Sequence, residues 1–110
     1  MPRESPDLVQ GTVDVLILRT LSWGPMHGYG IKTHLRDRTG GTITVESAAL
    51  YQALHRLEKK KLIRGWWGVS ETNRKARYYD LTVAGKKHLR SRSDSMREYV
   101  TALMSVLETR

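Results

Sequence analysis

The chain has 110 residues, 39% of them apolar, which suits a single domain with a modest core. It has no cysteine, which excludes disulfides, thiolate catalysis and thiolate zinc sites; with no long apolar window and no apolar leader core in MPRESPDLVQG, the chain is expected to be soluble and intracellular. The formal charge of +8 is local: residues 55–90 hold eleven Lys or Arg against three acids, the whole of the excess, and so point to a polyanionic surface as partner.

In chain order, Asp7 and Gln10 resemble a capping box for a first helix over Leu8–Leu21. Leu8, Val9, Thr12, Val13, Leu16, Ile17, Thr20 and Leu21 follow the helical period, and Val15 and Leu18 widen the apolar surface until most sides are expected to be buried. SWGP (Ser22–Pro25) breaks that helix. A second is predicted from His27 to Arg38 with Ile31 and Leu35 inward, ended by Thr39-Gly40-Gly41.

A third helix is predicted after the extended TITV, with Thr44 or Ser47 as its cap and Glu46 near its positive end. Leu50, Leu54 and Leu57 form the apolar stripe, which leaves Ser47, Tyr51, Gln52, His55 and Lys59 facing away from the core. The period then changes. IRGWWGV (Ile63–Val69) and KARYYDLT (Lys75–Thr82) read as two strands around the turn SETNR, with Asn73 suited to unusual backbone angles and the tip basic. Alternation along the first strand predicts that one of Trp66 and Trp67 packs inward and the other is partly exposed. From Thr82, an expected N-cap, a last helix runs towards the C-terminus. Its stripe of Leu89, Met96, Tyr99, Val100, Leu103, Val106 and Leu107 lies on a helix too polar for a monomer core, so a second copy of the same helix is the expected cover.

Three helices, a basic hairpin and a final helix make the order of a winged helix-turn-helix: a mainly α fold with a β-hairpin wing and a long C-terminal dimerisation helix. The expected division is a DNA-binding part over residues 1–82 and a dimerisation helix over 83–110. In this arrangement the third helix enters the major groove, where Ser47, Tyr51, Gln52 and His55 are expected to face bases, while lysines and arginines, Lys59, Arg74, Lys75 and Arg77 among them, mainly face phosphates whatever the sequence.

The motifs MHGYGI (Met26–Ile31), ALYQALHRLEKKKLI (Ala49–Ile63) and RYYDLTVAGKKHL (Arg77–Leu89) resemble the signatures of the PadR family of bacterial transcriptional repressors, in order and spacing over most of residues 11–90. The resemblance is to the short subfamily with one C-terminal helix. It implies a homodimer on double-stranded DNA with a pseudo-palindromic operator, in some members released by a small aromatic effector. It also implies a bacterial cytoplasmic protein at the nucleoid, Tyr51 as the recognition-helix tyrosine, Arg74, Lys75 and Arg77 as the basic wing, and Tyr29 as a packing residue. Three departures stand out: Ala48-Ala49 replaces the usual Gly-Thr, Lys60-Lys61 replaces an acid and Gly at the end of the third helix, and the last helix has no tryptophan for stacking a ligand. The second departure leads to the expectation that the helix ends differently here. Tyr99 and Met96 are the nearest substitutes for the tryptophan.

Other chemistry finds little support. His27, His34, His55 and His88 include no i, i+4 pair and no HExxH, so no metal site or cofactor is expected, and His27 is read as a helix-start or packing residue. GPMHGYG lacks the Lys-Ser/Thr of a P-loop, and no nucleophile or carboxylate pair marks an enzyme. The competing class is a winged-helix adaptor that docks its basic hairpin on an acidic protein. An anionic-membrane binder is disfavoured because the basic residues flank strands instead of lining one helix face.

Overall fold

The computed structural model describes residues 6–109, with side chains from Gly11 onwards. Helix α1 (Pro6–Leu21) opens with a proline, which suits a first-turn position because the missing N–H is unpaired there in any case. Asp7 therefore lies inside the helix and not before it, and the side chains of the expected capping box fall outside the described residues. Val15, Ile17, Leu18, Thr20 and Leu21 are buried, and Thr20 donates its hydroxyl to Leu16 O at 2.8 Å, so the helix is central to the fold as its doubled apolar stripe requires.

A two-residue strand β1 (Met26–His27) follows the SWGP break; it was not evident in the sequence because its partner lies far along the chain. Helix α2 (Gly28–Arg38) starts at His27, whose Nδ1 accepts the Gly30 N–H at 2.9 Å. It ends at Thr39 in a Schellman turn. Gly41 N donates to Arg36 O and Gly40 N to Asp37 O, with Gly40 at φ 61°.

Helix α3 (Ser47–Lys59) has Glu46 at its N-cap with no side-chain hydrogen bond, so neither Thr44 nor Ser47 caps it. The Ser47 hydroxyl instead accepts from Lys32 Nζ of α2 at 2.8 Å. The far end corrects a second expectation. Leu62 N donates to Leu57 O and Lys61 N to Glu58 O, and Lys61 has φ 63°, so the helix closes in the same Schellman geometry as α2 although a lysine fills the glycine position. A left-handed non-glycine residue costs about 1 kcal/mol. Replacing Lys61 with glycine is therefore expected to stabilise the protein by about 0.5–1 kcal/mol, read as a higher urea midpoint at unchanged m-value. A lower midpoint would show that the lysine side chain contributes more than its backbone strain costs.

Strands β2 (Ile63–Val69) and β3 (Lys75–Leu81) pair antiparallel from Ile63↔Leu81 to Val69↔Lys75, and β1 joins the other edge of β3 through Met26↔Tyr79 and His27↔Tyr78, giving the sheet order β1-β3-β2. Only the base of the hairpin reaches the core. Ile63, Leu81 and Tyr79 are buried, but past them the strands run beyond the apolar core, so both tryptophans are exposed, Trp66 by 36% and Trp67 by 60%. The expected inward tryptophan is thus absent. Trp66 stacks on Tyr78 at 6.2 Å, and Lys75 lies over Trp67 at 5.0 Å.

Helix α4 (Val83–Leu107) starts at Thr82, whose hydroxyl accepts from Gly85 N at 3.0 Å and donates to Lys61 O at 2.7 Å. One residue thus caps α4 and ties it to the end of α3. Leu89 is buried in the protomer's own core, which removes it from the expected inter-chain seam, and Met96 is half-buried against that core. Beyond them the helix leaves the core, and Tyr99, Val100, Leu103, Met104, Val106 and Leu107 are all exposed.

Candidate nucleic-acid interface

Helix α3 is fixed on two sides before its outer face meets anything. Arg56 pairs with Asp14 of α1 at 2.7 Å, and Glu58 pairs with Arg77 of β3 at 2.6 Å, both partly buried. Leu50, Ala53, Leu54 and Leu57 complete the anchoring from below. Ser47, Tyr51, Gln52, His55 and Lys59 are exposed along one side of this doubly tied helix.

Beside this helix lies an open groove of about 1430 Å³ between the start of α2, Tyr51 and the inner side of the hairpin. Tyr51 lines it. It leans on Gly28 so closely that a Cβ there would sit 2.7 Å from the tyrosine hydroxyl, which explains why a glycine occupies that position. Arg74 and Lys75 line the groove too, with Trp67, and both cations are exposed. Of the residues expected to touch nucleic acid, the groove gathers Tyr51, Arg74, Lys75 and Arg77, while Ser47, Gln52, His55 and Lys59 do not line it.

Arg77 needs a different role from the one expected. Its guanidinium is held by Glu58 and packs 5.6 Å from the Trp67 ring, so it serves first as the bolt between wing and α3. Tyr29, expected to pack, is 69% exposed and lines the groove, as do Thr33 and His34. The glycines on either side of Tyr29 were the available signal: Gly28 and Gly30 bring the backbone close to Tyr51 and Met26, which leaves the tyrosine between them turned outward. The hairpin tip is also attached to α2. Nδ1 of His27 accepts a backbone N–H, so Nε2 carries the ring proton and donates to Glu71 Oε1 at 2.9 Å. That bond holds the Glu71 carboxyl below the usual carboxylate range.

An outward helix face, a groove with exposed aromatic side chains and two exposed wing cations suit a DNA duplex. Residues 17–91 match the family described as the transcriptional regulator PadR-like family. The chain belongs to the PadR-like family. An uncharacterised protein from Lysinibacillus sphaericus is 34% identical over 83 residues, 76% of each chain. Among solved structures, a transcriptional regulator from Clostridium thermocellum superposes with a TM-score of 0.80 at 29% identity, covering 97% of this chain and 100% of that one. A PadR-like transcriptional regulator from Bacillus cereus gives 0.78 at 26% identity over 94% and 99%. The PadR-like signatures now have physical meanings in this chain: His27 caps α2, Gly28 admits Tyr51, Glu58 holds Arg77, and Thr82 joins α3 to α4. Among the described residues no helix is long and apolar enough to cross a membrane.

Proposed function

We propose that this PadR-like protein is a repressor that binds a pseudo-palindromic operator as a homodimer, at the nucleoid of a bacterial cell. The observation that carries the reading is the pairing of an α3 tied to α1 and β3, exposed at Tyr51, Gln52 and His55, with a wing whose Arg74 and Lys75 line one groove with Tyr51. Residues 1–82 carry the DNA contacts and residues 83–110 the pairing, with the first turns of α4 up to Leu89 also completing the core. Base edges are met by Tyr51, Gln52 and His55, with Ser47 at the helix start. Phosphates are met by Lys59, Arg74 and Lys75, and Tyr29 joins them from α2. A small aromatic effector, where one acts, would meet Met96 and Tyr99 on α4.

Selecting bound fragments from genomic DNA tests the reading, because a regulator of this kind enriches a two-fold symmetric sequence with half-sites about one turn, roughly 34–36 Å, apart. Enrichment of none above the non-specific level at physiological salt would favour a protein-binding adaptor. The wing is tested separately. Changing Arg74 and Lys75 together to alanine is expected to weaken binding to all sequences alike and to flatten the dependence of log affinity on log salt by about two per protomer. An unchanged slope would remove these two residues from the interface.

A further inference from the structure

The tip of the wing carries a carboxylate where a phosphate-facing surface gains nothing from one. Glu71 sits in the turn between β2 and β3, its side chain 81% exposed and close in sequence to Arg74 and Lys75. Its partner supplies a reason for its presence. The His27 ring is only 12% exposed and is held on three sides: Nδ1 by the Gly30 N–H, its edge by Tyr78 at 5.3 Å, and Nε2–H by Glu71. Tyr78 in turn donates its hydroxyl to Val69 O at 3.0 Å, next to the turn. The two ring nitrogens need opposite proton states, and one neutral tautomer satisfies both. A single imidazole therefore connects the N-terminus of α2 to a hairpin tip 44 residues away in sequence.

We propose that His27 is a positioning residue that acts through Glu71: it fixes the wing tip relative to α2 and α3, so that Arg74 and Lys75 are held in place before DNA arrives. The inference rests on the reading of the wing as a DNA-contacting surface. The turn closes on itself, with Ser70 N donating to Arg74 O at 2.8 Å and Asn73 N to Ser70 O at 2.9 Å, so the His27 bond adds its attachment to α2. A tip left to swing on the hairpin has to be oriented on binding, and a tethered one has already lost that freedom. Bulk charge argues the other way, since removing a carboxylate from the tip strengthens phosphate attraction. The two effects have opposite signs, which makes them separable.

Three variants of the full chain separate them. Glu71→Ala removes both charge and tether; Glu71→Gln removes the charge, but its amide oxygen still accepts from His27; His27→Asn retains an N-cap for α2 but is too short to reach Glu71. On a fragment recovered by selection, Glu71→Ala and His27→Asn are expected to bind about tenfold more weakly than the parent, the cost of ordering a short segment, while Glu71→Gln binds at least as tightly as the parent. In the DNA-free protein, backbone amide relaxation of residues 70–74 should show lower order in the first two variants and parental order in the third. Equal tightening by Glu71→Ala and Glu71→Gln, with unchanged tip order, would overturn the proposal in favour of plain charge. If the parent selects no DNA while tip order still separates the alanine from the glutamine variant, the DNA reading fails and the tether stands.

Discussion

Replacing Gly85 with alanine is expected to destabilise the protein by about 3 kcal/mol or more, the upper end of overpacking effects, and to lower the thermal midpoint by roughly 12 °C or more. A Cβ at this position would lie 2.0 Å from Leu62 O. That carbonyl accepts from Thr82 N at 3.1 Å, and Thr82 also bonds Lys61 O, so relief by moving α4 breaks the joint between α3, β2 and α4. The sign is informative, because glycine-to-alanine in an open helix gains about 1 kcal/mol from propensity alone. Gly11 in α1 supplies the comparison: among the described residues a Cβ there meets the flexible end of Arg92 at 3.5 Å and nothing nearer, so Gly11→Ala should stabilise where Gly85→Ala destabilises. Thermal melts followed by circular dichroism at matched concentration read both. A Gly85→Ala protein within about 1 kcal/mol of the parent would mean that the joint yields without loss and is not what holds α4 in place.

The pattern of these effects explains what the sequence could show. Helix periods and breakers are local, so the four helices and the hairpin around SETNR could be placed from spacing alone, and Thr82 was recognisable as a cap because capping acts over three residues. Partnerships across the chain leave no local mark. Nothing near Arg77 reveals that Glu58, 19 residues earlier, will hold it, and nothing near Glu71 points to His27. Strand alternation predicted one inward tryptophan because period 2 assigns faces but not where the core stops; the core ends at the Gly65↔Tyr79 pair, one pair short of Trp66 and two short of Trp67. The stripe from Leu89 to Leu107 shows the same limit on a helix. Its period places these residues on one side, yet Leu89 is covered by the protomer and Leu103 is not. At the third helix, the departure at Lys61 altered the residue but not the turn, since backbone bonds from Leu62 and Lys61 hold the geometry.

Leu103→Asp is the change expected to act most strongly on the proposed dimer. Leu103 is 43% exposed in the protomer, within a run that includes Tyr99, Val100 and Met104, so the single chain gains little from its apolar side chain. In a two-fold pair the same substitution occurs twice across one seam. Each copy loses about 2 kcal/mol of apolar burial and adds the cost of desolvating a carboxylate, so the dissociation constant should rise about a thousandfold or more. Sedimentation should then show monomers at concentrations where the parent is dimeric, with far-UV helicity largely kept because the core from Val15 to Leu89 is untouched. Operator affinity should fall with it, since a monomer engages one half-site and forfeits the gain from linking two. The contrasting change Leu89→Asp places a charge in the protomer's own core and should abolish folding, which separates loss of pairing from loss of structure. A Leu103→Asp protein that sediments as a dimer would rule out the exposed half of α4 as the seam. Retained dimers with weakened DNA binding would instead move the pairing surface elsewhere and leave α4 with a different partner.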